Sequence, residues 1–277
     1  MEKNVFNEKN GDYGLTFSVV NSEAAVTGCT GEPESIDIPE FFGCYPVTEL
    51  RDNAFYSNDS LKEINVSGNV SSIGHHCFYA CTALERVKLT TGLVSIGEGC
   101  FCGCDSLTDI AIPDTVRELP DSCFRACGKL FGITLPNSLR SIGDLCFSGC
   151  EQLKSVKTGD ELAEIGCGAF YMCPKLMSIR IPSACKSIGD QALGYGCCGN
   201  EPVINERLTI LGISGSAAEE YASENGIGFA ELSEAAGTVG SAPWITAKNT
   251  APLWTGAAVF TVLAVTLIRC FILHKGE

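Results

Sequence analysis

A solenoid of short parallel β-strands with short helical turns, followed by one C-terminal transmembrane α-helix, is the fold class this sequence predicts. Three observations predict it. Apolar residues recur every 23 residues through the middle of the chain, cysteines recur with the same period, and a 21-residue stretch near the C-terminus is almost wholly apolar. Self-similarity at a fixed period of this length marks units that cannot bury their own apolar side and must stack on neighbours.

The period is clearest in the aromatic column. Phe55, Phe78, Phe101, Phe124, Phe147 and Phe170 stand 23 residues apart, with Leu193 next in phase. Leu61, Leu84, Leu107, Leu130, Leu153 and Leu176 follow six positions later, and Ile64, Val87, Ile110, Ile133, Val156 and Ile179 nine positions later. Five positions before the aromatic column come Leu50, Ile73, Ile96, Leu119, Ile142, Ile165 and Ile188, and another column holds Val47, Val70, Leu93, Val116, Leu139 and Leu162. In the segment LTDIAIP, Ile110 and Ile112 alternate with a small residue, the pattern of a short strand with one face buried. Pro113, Pro136 and Pro182 end that strand, a second apolar segment such as Val94 to Gly97 follows, and Gly74, Gly97, Gly143, Gly166 and Gly189 are expected to make the corner. Seven coils at the spacing of parallel strands, about 4.8 Å, form a wall roughly 30 Å long.

The array has ends. Residues 1–46 read as an N-terminal cap with a partial repeat, Ala25 to Gly28 and Ile36 to Pro39, and an insertion from Phe41 to Tyr45. Residues 47–199 hold the 23-residue units, and 200–232 a capping segment. In that segment Ser216 with Glu219 makes a capping box and Asn225-Gly226 a C-cap, bounding a two-turn helix ahead of Ile227 and Phe229. Residues 233–252, rich in Ala, Gly, Ser and Thr, read as a flexible linker.

The run from Ile165 to Pro182, IGCGAFYMCPKLMSIRIP, resembles the BspA-type leucine-rich repeat, whose unit reads roughly I-G-x-x-A-F-x-x-C-x-x-L-x-x-I-x-I-P. The resemblance covers about residues 13–232. It implies a leucine-rich repeat solenoid that binds host proteins or other cells and catalyses nothing, and it leaves the ligand unnamed.

Seventeen cysteines call for an explanation, and their period supplies one. Cys81, Cys104, Cys127, Cys150 and Cys173 share the position three after the Phe, and Cys77, Cys100, Cys123 and Cys146 the position before it. Within a column the Cβ spacing of about 4.8 Å exceeds the roughly 3.5–4.5 Å a relaxed disulfide prefers, so small, buried, reduced thiols are expected. The competing reading is a zinc or redox site around Cys100, Cys102 and Cys104 with Cys77, Cys81, His75 and His76. Cys102 and the adjacent Cys197 and Cys198 fall outside the columns and are the candidates for exposed thiols. No metalloprotease, nucleophile-elbow or phosphate-loop motif is present, and only three His are available for acid–base work, so no enzyme, catalytic residue or cofactor is expected. A net charge of −14 argues against a nucleic-acid partner, whose phosphates require Lys and Arg.

Residues 253–273, LWTGAAVFTVLAVTLIRCFIL, carry one charge, Arg269, and are long enough to cross a hydrocarbon core of about 30 Å. Trp254 and Arg269 suit the two interfaces, and Arg269 with Lys275 favours a cytoplasmic C-terminus and an outward solenoid. No apolar secretory run opens the sequence, and the many thiols suit a reducing compartment, so a cytoplasm-facing, tail-anchored scaffold is the alternative. The expected ligand is a protein or glycan at a cell surface. Its binding face is placed on the outward side chains of the Leu–Ile strand: Asn65, Lys88, Ala111, Thr134, Lys157 and Arg180 in one column, with Phe131 beside it. That column holds no acid in an acidic chain; the same pattern also suits an ordinary solvated sheet face.

Overall fold

A computed structural model describes residues 5–10, 13–198 and 201–232. Each 23-residue unit is one coil with three sides. A long-strand wall holds three-residue strands such as Glu63–Asn65 and Arg86–Lys88; a short-strand wall holds two-residue strands such as Ser72–Ile73 and Ser95–Ile96. The third side, carrying the Phe and Cys columns, is a wall of turns.

Both strand walls are parallel ladders in which each residue faces its equivalent one coil on, as Ile64 faces Val87 and Ile142 faces Ile165. That register follows from the repeat, because a slip of one residue would turn every Ile outward. The stack runs to about nine turns, more than the seven read from the sequence. The difference lies at the ends: Ser35–Asp37 opens the long-strand wall, and Thr209–Gly212 and Gly228–Glu231 extend it.

The turns are not helical, contrary to the sequence expectation. In the coil around Phe55, the amides of Ala54, Tyr56 and Asn58 donate to carbonyls three residues back, while those of Asn53, Phe55 and Ser57 donate to His75, Cys77 and Tyr79 of the next coil. Alternate amides therefore point sideways. Left-handed backbone at Asn53 (φ 59°) and Ser57 (φ 53°) makes this possible, and the same two positions recur as His76 and Ala80, and as Ser122 and Ala126. A left-handed residue every fourth position breaks any α-helix before one full turn is complete. Among the described residues the one α-helix is Ala217–Glu224, outside the repeats.

The glycines at the end of the short strand also play a different part from the one expected. Their φ angles are not left-handed; what requires them is proximity, since a Cβ at Gly189 would stand 2.5 Å from the Cys167 nitrogen of the preceding coil. The Gly189 amide then donates to Ile165 at 2.8 Å, as Gly97 does to Ile73 and Gly143 to Leu119.

Inside the three walls lies one continuous apolar core. Phe55, Phe78, Phe101, Phe124, Phe147 and Phe170 stack nearly coplanar, with centroids 5.1–5.4 Å apart. Each such ring contributes about 1.5–3 kcal/mol by burial.

Both ends are sealed. At the N-terminal side, Val5–Asn10, Tyr13–Val20 and Glu23–Thr30 form an antiparallel sheet whose last strand pairs in parallel with Tyr45–Leu50, converting a meander into the ladder. At the C-terminal side, a hairpin of Tyr195–Cys198 and Glu201–Ile204 is inserted, which is why Thr209 pairs with Ser178 rather than with a residue 23 positions away. The helix then covers the stack. Tyr221 Oη accepts from the Leu193 amide at 3.0 Å and donates to the Leu193 carbonyl at 3.1 Å, satisfying backbone groups that a further coil would have taken. The expected capping box does not form: Glu219 accepts from the Gly215 amide at 2.7 Å rather than from Ser216, and the Ser216 hydroxyl turns back to the Ile213 carbonyl.

No helix among the described residues is long and apolar enough to cross a membrane. The predicted span at 253–273 and the linker at 233–252 lie outside the described residues.

Candidate binding wall

One interruption organises the walls. The short-strand ladder runs to Ser95–Ile96 and begins again at Glu118–Leu119, with no ladder joining them among the described residues. Pro120 stands at the position where Arg51, Gly74, Gly97, Gly143, Gly166 and Gly189 each donate an amide to the preceding coil, and proline has no amide proton. The long-strand wall stops at the same boundary: Arg86–Lys88 ends one sheet, Gly132–Thr134 starts the next, and the coil between them is tied forward by the single bridge of Ala111 to Thr134. The turn wall continues without a break. Phe101 donates to Cys123 at 2.8 Å and Gly103 to Arg125 at 2.7 Å across the seam.

The column cysteines account for part of that continuity. Thiols of Cys81, Cys104, Cys127, Cys150 and Cys173 each donate to the carbonyl of the preceding coil's Phe, at 3.1–3.2 Å. A small hydrophobe with a weak donor is what this position needs, so the expectation of buried thiols gains a polar reason. Burial pushes Cys81 up to about 12 and raises Cys77, Cys100, Cys104 and Cys123 well above the ordinary thiol range. A zinc or redox set around Cys100–Cys104 does not assemble, because Cys100 and Cys104 point into the core while Cys102 lies on the outer side of the same turn. Among the described residues no three His, Cys, Asp or Glu side chains converge on a metal position. Outside the columns, Cys197 is exposed with Sγ 3.6 Å from Met172 Sδ, and Cys102 is half-buried.

The seven wall residues singled out from the sequence lie on the long-strand wall. Lys88, Thr134, Lys157 and Arg180 are exposed, Asn65 is half-buried, and Phe131 is 53% exposed at the edge of its strand. Not all of their charge is free. Arg180 pairs with Asp160 at 2.6 Å and Asn65 donates to Asp37 at 2.6 Å, while Lys88 and Lys157 form none of the ion pairs found among the described residues. Lys154 Nζ sits 4.7 Å above the Phe131 ring, adding a cation next to an exposed aromatic.

The wall also has a depression that the sequence columns did not single out. Within the 23-residue coils Ala111 and Gly132 are the smallest residues of their two columns, and they lie in adjacent coils just past the seam. An open groove of about 570 Å³ results, lined at its base by Ile110, Ile112, Ile133, Leu135 and Pro136, whose side chains are buried. Its rim carries Asp109, Asp114, Thr134, Asn137, Ser155 and Lys157.

A family model described as the BspA type leucine rich repeat region matches residues 48–144 and 117–214, with six copies. A leucine rich cell surface protein from Faecalibacterium prausnitzii is 28% identical with a TM-score of 0.57, the match covering 72% of this chain and 58% of that one. This chain thus spans little more than half of that protein's length. A leucine-rich repeat protein from Eubacterium ventriosum, 20% identical with a TM-score of 0.59 over 68% of this chain and 50% of that one, shares the fold. No curated protein matches.

Proposed function

The chain belongs to the BspA-type leucine-rich repeat family, and on that premise we propose that it is a non-catalytic recognition protein, anchored by residues 253–273, whose long-strand wall meets a protein or glycan on a cell surface. The observation that carries this reading is the wall itself. From Lys88 to Arg180 an outward-facing, exposed column with no acid runs across a chain of net charge −14, headed in the first coils by Asp37 and Asn65, and Lys88 and Lys157 on it are committed to no ion pair among the described residues. Rigid repeat walls of this kind offer extended surfaces in which many short contacts add up, without a cleft or a cofactor. Adhesion is the role such a surface serves in an outward orientation. The basic residues Arg269 and Lys275 near the C-terminus support that orientation, as does the cell-surface description of the Faecalibacterium relative.

A second reading, a cytoplasm-facing scaffold on the same anchor, is favoured by one observation: the column cysteines are free thiols with donor roles. Protease added to intact cells expressing the full chain separates the two. Outward display predicts cleavage of the solenoid from outside, whereas a fragment pattern that changes only after lysis would favour the scaffold.

A further inference from the structure

We propose that the depression between Ala111 and Gly132 is a subsite for one neutral pyranose ring of a glycan. The inference rests on the long-strand wall being the binding face and names the ligand chemistry of one part of it.

Shape comes first. In the column of Ala111 the other coils present Asn65, Lys88, Thr134, Lys157 and Arg180, and in the column of Gly132 they present Glu63, Arg86, Asp109, Ser155 and Ser178. Among the 23-residue coils this is the one place where the two shortest side chains of these columns come together and remove cover. The resulting groove of about 570 Å³ falls within the range of roughly 300–1,000 Å³ usual for small-ligand sites.

The chemistry of the rim then selects the occupant. Asp109 and Asp114 are acceptors only, and Lys157 is a donor only; Asn137, Thr134 and Ser155 both donate and accept. A ligand that meets all of them must donate at one end and accept at the other from groups a few ångströms apart, which is what the hydroxyls of a sugar do. Two carboxylates against one ammonium disfavour a phosphate, a sulfate or an acidic sugar. The exposed methyl of Ala111, between the polar rim residues, is an apolar contact for the C–H face that a pyranose carries beside its hydroxyls. An extended peptide would need a groove that continues along the stack, and here Thr134 and Lys157 rise beside the gap.

Saturation-transfer NMR of the full chain against the methyl glycosides of glucose, galactose, mannose and N-acetylglucosamine tests the proposal. At least one glycoside should receive saturation at millimolar concentration. Ala111→Lys with Gly132→Arg gives these positions the residue types of Lys88 and Arg86, and the Cβ at position 132 meets the rotatable Ser155 hydroxyl at 2.9 Å and the Ser155 carbonyl oxygen at an ordinary 3.4 Å, so the stack is expected to keep its melting temperature. This pair should weaken binding at least tenfold, as should Asp109→Asn with Asp114→Asn, which keeps the shape and changes the acceptors. Absence of transfer from all four glycosides, or transfer undiminished in the filled variant, would overturn the assignment. Charge reversal at Lys88, Lys157 and Arg180 that still weakens attachment to cells would leave the wall reading standing after such a failure; loss of both results would remove both.

Discussion

The turn wall and the two strand walls pass through the same coils, yet at Pro120 only the turn wall continues. The difference lies in how each wall uses its amides. In the short-strand wall a coil is joined to the last one through a few positions that must carry an N–H, and one proline at the glycine position ends the ladder. In the turn wall half of the amides bond within the coil and half reach the next one, and a thiol adds a further donor to the preceding Phe carbonyl. Redundant bonding tolerates a seam. The array therefore keeps its integrity on the side of the Phe and Cys columns and can vary the side that faces ligand.

The largest effect should come from breaking the continuous side. Leu107 is fully buried at the seam, where the strand ladders give no support. Leu107→Asp would bury a charge with no partner at a cost of several kcal/mol, comparable with a domain's whole stability. Cooperative melting, followed by circular dichroism, should be lost. A parent-like transition would show that the coil does not depend on its core there.

Alkaline pH should act on the same wall more gradually. Burial raises the column thiols above their ordinary value of 9.0, so the folded state keeps protons that the unfolded chain releases. Stability contributed by these groups is present below about pH 9 and falls as pH rises from there toward the raised folded values, by about 1.4 kcal/mol per pH unit for each thiol. Denaturant midpoints measured from pH 8 to pH 10.5 should fall steeply, and less steeply when Cys100, Cys123 and Cys146 are all replaced by Ala. Equal slopes in the two proteins would remove the thiols as the cause.

A smaller effect is expected from repairing the interrupted wall. Pro120→Gly restores an amide facing the Ile96 carbonyl, and the new bond, about 0.5–1.5 kcal/mol, is largely offset by the greater freedom of glycine in the unfolded chain. Melting should therefore shift little. Hydrogen exchange at residues 117–119 should slow, and unchanged exchange would mean that the missing proton is not what separates the two ladders.

Much of this fold is legible in the sequence because a core column has to be apolar in every coil: the Phe, Leu and Ile positions and both cysteine columns are found where the period puts them. The turn geometry was not legible. Its left-handed positions hold Asn53, His76, Ser122, Leu145 and Gln191, which share no side-chain chemistry, because neighbouring coils and not local preference impose the conformation. The hairpin from Tyr195 to Ile204 hid the last repeats by displacing them out of phase. Pro120 was visible as a gap in the glycine column, but its consequence required knowing which carbonyl that amide would have met. In the binding wall, the outward column was readable from alternation, whereas the ion pair of Arg180 with Asp160 depends on a residue twenty positions earlier, in the turn that opens the same coil. The depression likewise depends on two columns being read together across adjacent coils.

The central claim is that one wall holds the stack and another meets the ligand, and a crossed measurement on two variants tests it most directly. Lys88, Lys157 and Arg180 are changed together to Glu in one variant, and Cys104 and Cys127 to Ala in the other; each is assayed for thermal stability and, at a temperature where both remain folded, for attachment to a cell surface that the parent chain binds. Exposed charges contribute little to stability and much to association. The account predicts that the charge variant melts like the parent and attaches more weakly with a shallower salt dependence, while the cysteine variant melts several degrees lower and attaches normally. A charge variant that attaches as well as the parent, or a cysteine variant that melts unchanged, would contradict this division of labour.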